Sequence, residues 1–264
     1  MWKKQCCFAI VLVLFLPLIS ALSITNGLIS HWAWDGNAID SAGNNNGNIN
    51  GATFDAGKTG QALSMDGQDD YVKMTSGPDL RGMTSLTMSA WVKASSSIGR
   101  GYSRIIEIGT NASTSTAIVL DSNGGSNYIG TVRVWVHTNG SRKEVGTSNG
   151  GSNYNYNDDQ WHHLAMTYDN SQIKLYIDGA LIQVGNASGA IDSAVGTLIG
   201  QHNFPSPDNQ DTFGGLIDET LVYNRALSLN EIQILASEQV PEPNSVIVVM
   251  LCILATGISS FRKK

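Results

Sequence analysis

Four groups of residues in this sequence have the types that chemistry needs. Two are adjacent pairs, His162-His163 and Asp218-Glu219. One is an oxygen-rich run, Asp35–Gly51, and one is the alternating set Arg133, Trp135 and His137. Neighbours on a β-strand point to opposite faces. His162 and His163 therefore cannot easily share one zinc ion, and they read as scaffold residues. Asp218 and Glu219 cannot form a glycoside-cleaving pair, which needs two carboxylates on one face. No Glu-x-Asp-x-x-Glu run, His-Glu-x-x-His pair or phosphate-cradling Walker loop occurs. The expected chemistry is binding without turnover, and an enzyme would have to assemble its site from loops.

Residues 35–51 read DGNAIDSAGNNNGNING. Hard cations take clustered oxygen ligands, so this run is either a calcium-organised loop or a solvated one. It lacks the twelve-residue EF-hand spacing. Residues 130–137 alternate most cleanly. Val132, Val134 and Val136 share one face, and Thr131, Arg133, Trp135 and His137 share the other. The valine face must meet the core, so the indole points away from it. There Trp135 either stacks on a sugar ring, with Arg133 and His137 donating to hydroxyls, or packs under the run Thr138–Gln160. That run is rich in Asn, Gly, Ser and Tyr and reads as one long loop. Trp91 and Trp161 read as packing.

The elements that must position these residues are strands. Trp161–Tyr168 and Gln172–Asp178 each alternate, and the turn-forming Asp169-Asn170-Ser171 between them makes an antiparallel hairpin. Asp178-Gly179 turns the chain again into Ala180–Val184. Further strands are expected at 29–34, 61–65, 70–74, 85–93, 103–108, 116–121, 197–201 and 213–223. Ser228-Leu229-Asn230-Glu231 spells a capping box that opens a short helix to about Ala236.

Four stretches in order carry a family likeness. They are Gly57–Met74, Leu86–Lys93, the Trp161–Gly179 hairpin and Phe213–Leu227. Together they resemble the laminin-G-like domains of the concanavalin-A-like jelly-roll superfamily. The resemblance implies an all-β, two-sheet antiparallel jelly-roll sandwich with a short C-terminal helix. It also implies a structural calcium, and carried over residue by residue it suggests Asp35, Asp40 and Asp218 as ligands. It does not fix function, because one fold hosts lectins, adhesion modules, hydrolases and lyases.

The formal net charge of -6 conceals a more acidic body. Lys3, Lys4, Arg262, Lys263 and Lys264 lie in the ends, and without them 11 basic residues face 22 acidic ones, of which Glu238 and Glu242 also lie in the C-terminal end. That balance argues against nucleic acid and anionic membrane as partners. Cys6, Cys7 and Cys252 also lie in the ends, so the body carries no disulfide. Residues 1–23 have two lysines, the apolar run Phe8–Ile19 and a small-residue close, which is a signal-peptide pattern. The domain is expected over 24–237. In 238–264, Pro241-Glu242-Pro243 precedes the apolar run Val246–Ile258 and a basic end, and this resembles the PEP-CTERM sorting signal of Gram-negative bacteria. That likeness implies transient membrane anchoring through the apolar helix and cleavage by an exosortase. It implies release to the envelope, the extracellular matrix or the medium. The expected protein is an exported binding or matrix module for glycan or exopolysaccharide, or else a structural or adhesive surface protein with a protein partner.

Overall fold

The computed structural model describes residues 24–74, 76–95, 102–109, 114–121, 130–147, 155–192, 196–202 and 211–237. The end segments 1–23 and 238–264, with Pro241, Glu242 and Pro243, lie outside them. The strands are β1 (Leu28–Trp32), β2 (Gly47–Asn50), β3 (Thr53–Ala56), β4 (Gln61–Asp66), β5 (Tyr71–Met74), β6 (Leu86–Ala94), β7 (Tyr102–Ile108) and β8 (Thr116–Asp121). They continue as β9 (Thr131–Thr138), β10 (Ser141–Gly146), β11 (Trp161–Tyr168), β12 (Gln172–Ile177), β13 (Ala180–Asn186), β14 (Thr197–Ile199) and β15 (Gly214–Tyr223), and the helix α1 (Leu229–Ala236) follows.

Alternation assigns the layers. Val132, Val134 and Val136 of β9 are buried in the main core together with Leu164, Met166, Ile173 and Leu175 from β11 and β12. Two antiparallel sheets enclose that core. One runs β13-β12-β11-β6-β15-β4-β3 with β1 added on β15, and the other runs β10-β9-β8-β7-β14-β5-β2. This is the two-sheet jelly-roll sandwich that the family resemblance implies.

Three edge strands escape the sequence pattern. β10 (SRKEVG) lies inside the run expected to be one loop, and it pairs with β9 from Ser141↔Thr138 to Gly146↔Arg133. Its charges suit a sheet edge, where Lys and Arg deter further pairing, but they hide the alternation. β2 (GNIN) and β3 (TFDA) are short and polar for the same reason.

β15 changes partners midway. Gly214–Ile217 pair with β4, whereas Thr220–Tyr223 pair with β1. Between them the ladder to β6 is broken by a bulge, and Glu219 takes a left-handed backbone at φ 46. The bulge turns Glu219 onto His31 of β1, with Oε2 2.6 Å from Nε2. α1 lies under the outer face of the eight-stranded sheet, where Ile232 and Leu235 meet Ile24, Leu221 and Tyr223. Its capping box is complete, because Ser228 accepts from the Glu231 amide and Glu231 accepts from the Ser228 amide.

Candidate functional site

The outer face of the seven-stranded sheet gathers the polar aromatic set. β9 contributes Arg133, Trp135 and His137, and β10 brings Arg142 opposite His137 and Glu144 opposite Trp135. β8 sets Ala117 beside Trp135 on the other side. A methyl group there leaves room for the indole. β7 supplies Tyr102, Arg104 and Glu107, re-aimed by a register shift between Arg104 and Ile106.

Trp135 is only 3% exposed. It packs on Ala117 and Val119, and its indole N–H points to Ser115 Oγ at 3.4 Å. The Arg104 and Arg142 guanidiniums each lie 5.1 Å from its ring centroid. The cover over the indole is thus two arginines from flanking strands, in cation–π geometry. Of the two readings of Trp135, open to a sugar or packed under 138–160, its burial fits the second, with Arg142 carried across the ring by a strand, β10, inside that run. His137 is also buried, and its Nδ1 lies 2.7 Å from the Ser115 carbonyl, which assigns the proton to Nδ1. It braces the sheet and does not face solvent.

The open part of this face is Tyr102 and Arg142. Arg133 stacks on Tyr102 at 4.2 Å and reaches Glu144 Oε1 at 3.3 Å. Arg142 holds Glu144 Oε2 at 2.8 Å. Arg104 is buried, and desolvation lowers its pKa while the nearby Glu107 and Asp211 charges oppose that. Its Nη1 donates to the Tyr102 carbonyl at 2.6 Å. Sequence reading missed Tyr102, Arg104, Arg142 and Glu144. Arg104 and Arg142 stand on strands far apart in the chain, and only register brings them to Trp135.

The residues proposed for calcium do not make one site. Asp40 Oδ1 accepts the amides of His31, Ala42 and Gly43, and Oδ2 accepts the Asn45 amide and side chain. Asp35 Oδ1 accepts the Gln61 amide at 2.7 Å. Asp218 Oδ2 accepts the Thr59 amide at 3.0 Å, and burial pushes its pKa up to about 7. Asp40 spends its oxygens on backbone donors, so the set does not fit a calcium cage. Among the described residues, the carboxylates that come within 4.8 Å of one another as a trio are Asp66, Asp69 and Asp70.

The histidine pair behaves as alternation requires. His162 accepts no shared role with its neighbour. It pairs with Asp178 at 2.9 Å and Asp158 at 3.3 Å, and the Asp178 hydrogen bond raises its pKa. His163 is buried against Trp91, and burial lowers its pKa to about 4. Glu219, His31 and Ser41 form a second relay, with Ser41 Oγ 3.1 Å from His31 Nδ1. It looks like a nucleophile, base and acid. Yet the Ala42 and Gly43 amides beside Ser41 are already donated to Asp40, so they hold no oxyanion. Gly146-Thr147-Ser148-Asn149-Gly150 spells a Gly-x-Ser-x-Gly run that sequence reading passes over. That motif needs a strand-to-helix turn. Ser148 to Gly150 lie outside the described residues, and among those described no helix follows before Leu229.

Residues 66–233 match the family profile of the concanavalin A-like lectin/glucanases superfamily, laminin-G type. The chain belongs to this family. A search of the curated proteins finds no match. Among solved structures, this laminin-G-like chain resembles domain 4 of AbnA, an extracellular arabinanase of Geobacillus stearothermophilus, in complex with arabinotriose. The two share 21% identity at a TM-score of 0.61, over 80% of this chain and 98% of that one. It also resembles the ligand-binding domain of botulinum neurotoxin serotype D in complex with N-acetylneuraminic acid. There identity is 17% and the TM-score 0.61, over 83% of this chain and 53% of that one. The binding domain of Paraclostridial mosquitocidal protein 1 matches at 15% identity and a TM-score of 0.60, over 81% and 52%. The laminin-G-like chain thus spans about half of the two toxin chains. At these identities the likeness is one of fold. Among the described residues of this laminin-G-like protein, no helix is long and apolar enough to cross a membrane.

Proposed function

We propose that the chain is an exported, non-catalytic glycan-binding module whose sugar site is the outer face of the seven-stranded sheet. The observation that carries this is the convergence of Tyr102, Trp135 and three arginines on that face, with Tyr102 and Arg142 open to solvent. An exposed tyrosine ring flanked by fixed donors suits sugar rings, which present apolar faces and hydroxyl edges. Solved relatives of the same fold hold arabinotriose and N-acetylneuraminic acid, which supports a saccharide partner in general terms. A non-catalytic role is supported by the Asp218-Glu219 split, which sends one carboxylate to the Thr59 amide and the other to His31. The proposed route is export by the residues 1–23 signal, transient anchoring through 246–258 and exosortase cleavage near Pro241-Glu242-Pro243.

A glycan array with the purified protein tests this reading. Wild type should bind at least one saccharide class, and Tyr102→Ala should weaken that binding about tenfold or more, as loss of an anchoring aromatic does. Absence of binding to every saccharide would overturn it. A second reading is favoured by the burial of Trp135. In it the face is structural, and the protein is an adhesive surface component with a protein partner. Wild-type saccharide binding that Tyr102→Ala leaves intact would move the site off this face.

A further inference from the structure

The guanidiniums on this face are matched by carboxylates. Arg104 has two acidic neighbours: Glu107, whose Oε2 is 3.7 Å from its Nε, and Asp211, whose charge also acts on it. Asp211 Oδ1 accepts the Tyr102 amide at 3.1 Å, which fixes it at the start of β7. Arg133 and Arg142 meet at Glu144, the first at Oε1 (3.3 Å) and the second at Oε2 (2.8 Å). Three guanidiniums thus stand with three carboxylates, on a body in which acids outnumber bases.

Glu144 is the member of this set placed to decide what enters. Its side chain is 24% exposed and that of Arg142 is 49% exposed, so an acceptor and a donor reach solvent side by side. Arg133 joins them to Tyr102, because it lies 4.2 Å from that ring and also reaches Glu144. A hydroxyl can enter such an ion pair without breaking it. It donates to the carboxylate and accepts from the guanidinium. A carboxylate on the ligand has no proton to give at neutral pH. It would have to displace Glu144 from Arg142 and then lie beside that charge, and like charges set against each other are costly. A partner is refused in this way when a like charge already occupies the place it needs. The acidic body adds its own repulsion to any polyanion.

We infer that the glycan held on this face is neutral, with hydroxyls bridging Arg142 and Glu144 beside Tyr102, and that Glu144 is the residue that turns uronates away. This inference rests on the glycan-binding reading of the same face and names the class of sugar it takes.

The test presents the purified protein with two sets of polymers. Dextran, mannan, galactan and arabinan are neutral, and polygalacturonate, alginate and hyaluronate carry uronates. Wild type should bind within the neutral set, and about tenfold or more weakly to every uronate polymer. Neutral binding should hold its affinity between about 0.05 M and about 0.5 M salt, because no ion pair is exchanged. Glu144→Gln removes the charge and keeps the shape. It should weaken neutral binding by about threefold to tenfold, the margin between a charged and an uncharged acceptor, and it should admit the uronates. Glu144→Asp keeps the charge and should go on rejecting them. Uronate binding by wild type as tight as its neutral binding, or neutral binding that falls with salt, would overturn the inference and leave the glycan reading standing. Uronates still rejected by Glu144→Gln, or admitted equally by Glu144→Asp, would take the role from Glu144. Binding to no saccharide of either set, nor to any on a glycan array, would overturn both readings. The wild-type comparisons need no variant, so they decide even where a variant fails to fold.

Discussion

His163 makes the acid limb of the stability curve predictable. Its ring is 1% exposed, its edge meets Trp91 at 5.4 Å between centroids, and its Nδ1 has no hydrogen-bond partner. Burial holds its pKa near 4, against 6.5 in an unfolded chain. A depressed value means that the folded state resists protonation while the unfolded state accepts it. The contribution of the neutral ring is therefore complete above pH 6.5 and is lost as pH falls toward 4. Each pH unit in that window is worth about 1.4 kcal/mol, which gives about 2.4 kcal/mol between pH 7 and pH 4.5. His163→Phe keeps the edge contact to Trp91 and cannot titrate. Urea unfolding of both proteins at the two pH values isolates the difference, because His162 and the carboxylates contribute to both. Wild type should lose about 2 kcal/mol more than His163→Phe on acidification. Equal losses in the two proteins would refute the assignment of a neutral, desolvated imidazole at this position.

Three further outcomes are expected. Trp135→Ala should lower unfolding free energy by about 3–5 kcal/mol, because the indole fills a packed site beneath Arg104 and Arg142, and thermal and urea melts would reveal a smaller loss if the ring were open. Asp40→Ala should cost about 2–3 kcal/mol, since four backbone amides lose their acceptor, and melts in chelator and in millimolar calcium should coincide for wild type. A calcium-dependent rise in Tm that Asp40→Ala abolishes would show that a cation does bind at Asp40. Intact mass of the protein recovered from its native host should lack both ends, and a chain retaining Met1 and Lys264 would refute the processing route.

Some of this was legible in the chain. Three valines at period two placed β9 and divided its faces, and the polar gap at Asp169–Ser171 placed the β11–β12 hairpin. The capping box marked the start of α1 to the residue. What alternation reports is which way a side chain points, and it says nothing of what lies above it. Trp135 does point away from the core, yet two arginines on other strands close over it. The charged edge strand β10 carried one of them and looked like a loop. The bulge at Asp218-Glu219 was equally hidden, because it arises where β15 changes partners, a tertiary event. The oxygen-rich loop resembled a cation site because backbone amides and metal ions recruit the same carboxylates.

The exchange of partners along β15 bears on how the molecule is made. β15 sits inside the eight-stranded sheet, with β6 on one side and β4 and β1 on the other. β1 pairs with β15 alone, so the first strand of the domain waits for the last. Emerging from a ribosome, the chain cannot close its central sheet until almost all of it has been synthesised. Contacts of such high sequence separation form slowly. A nascent chain that stays open for that long exposes its strand edges along its whole length before it acquires a shape.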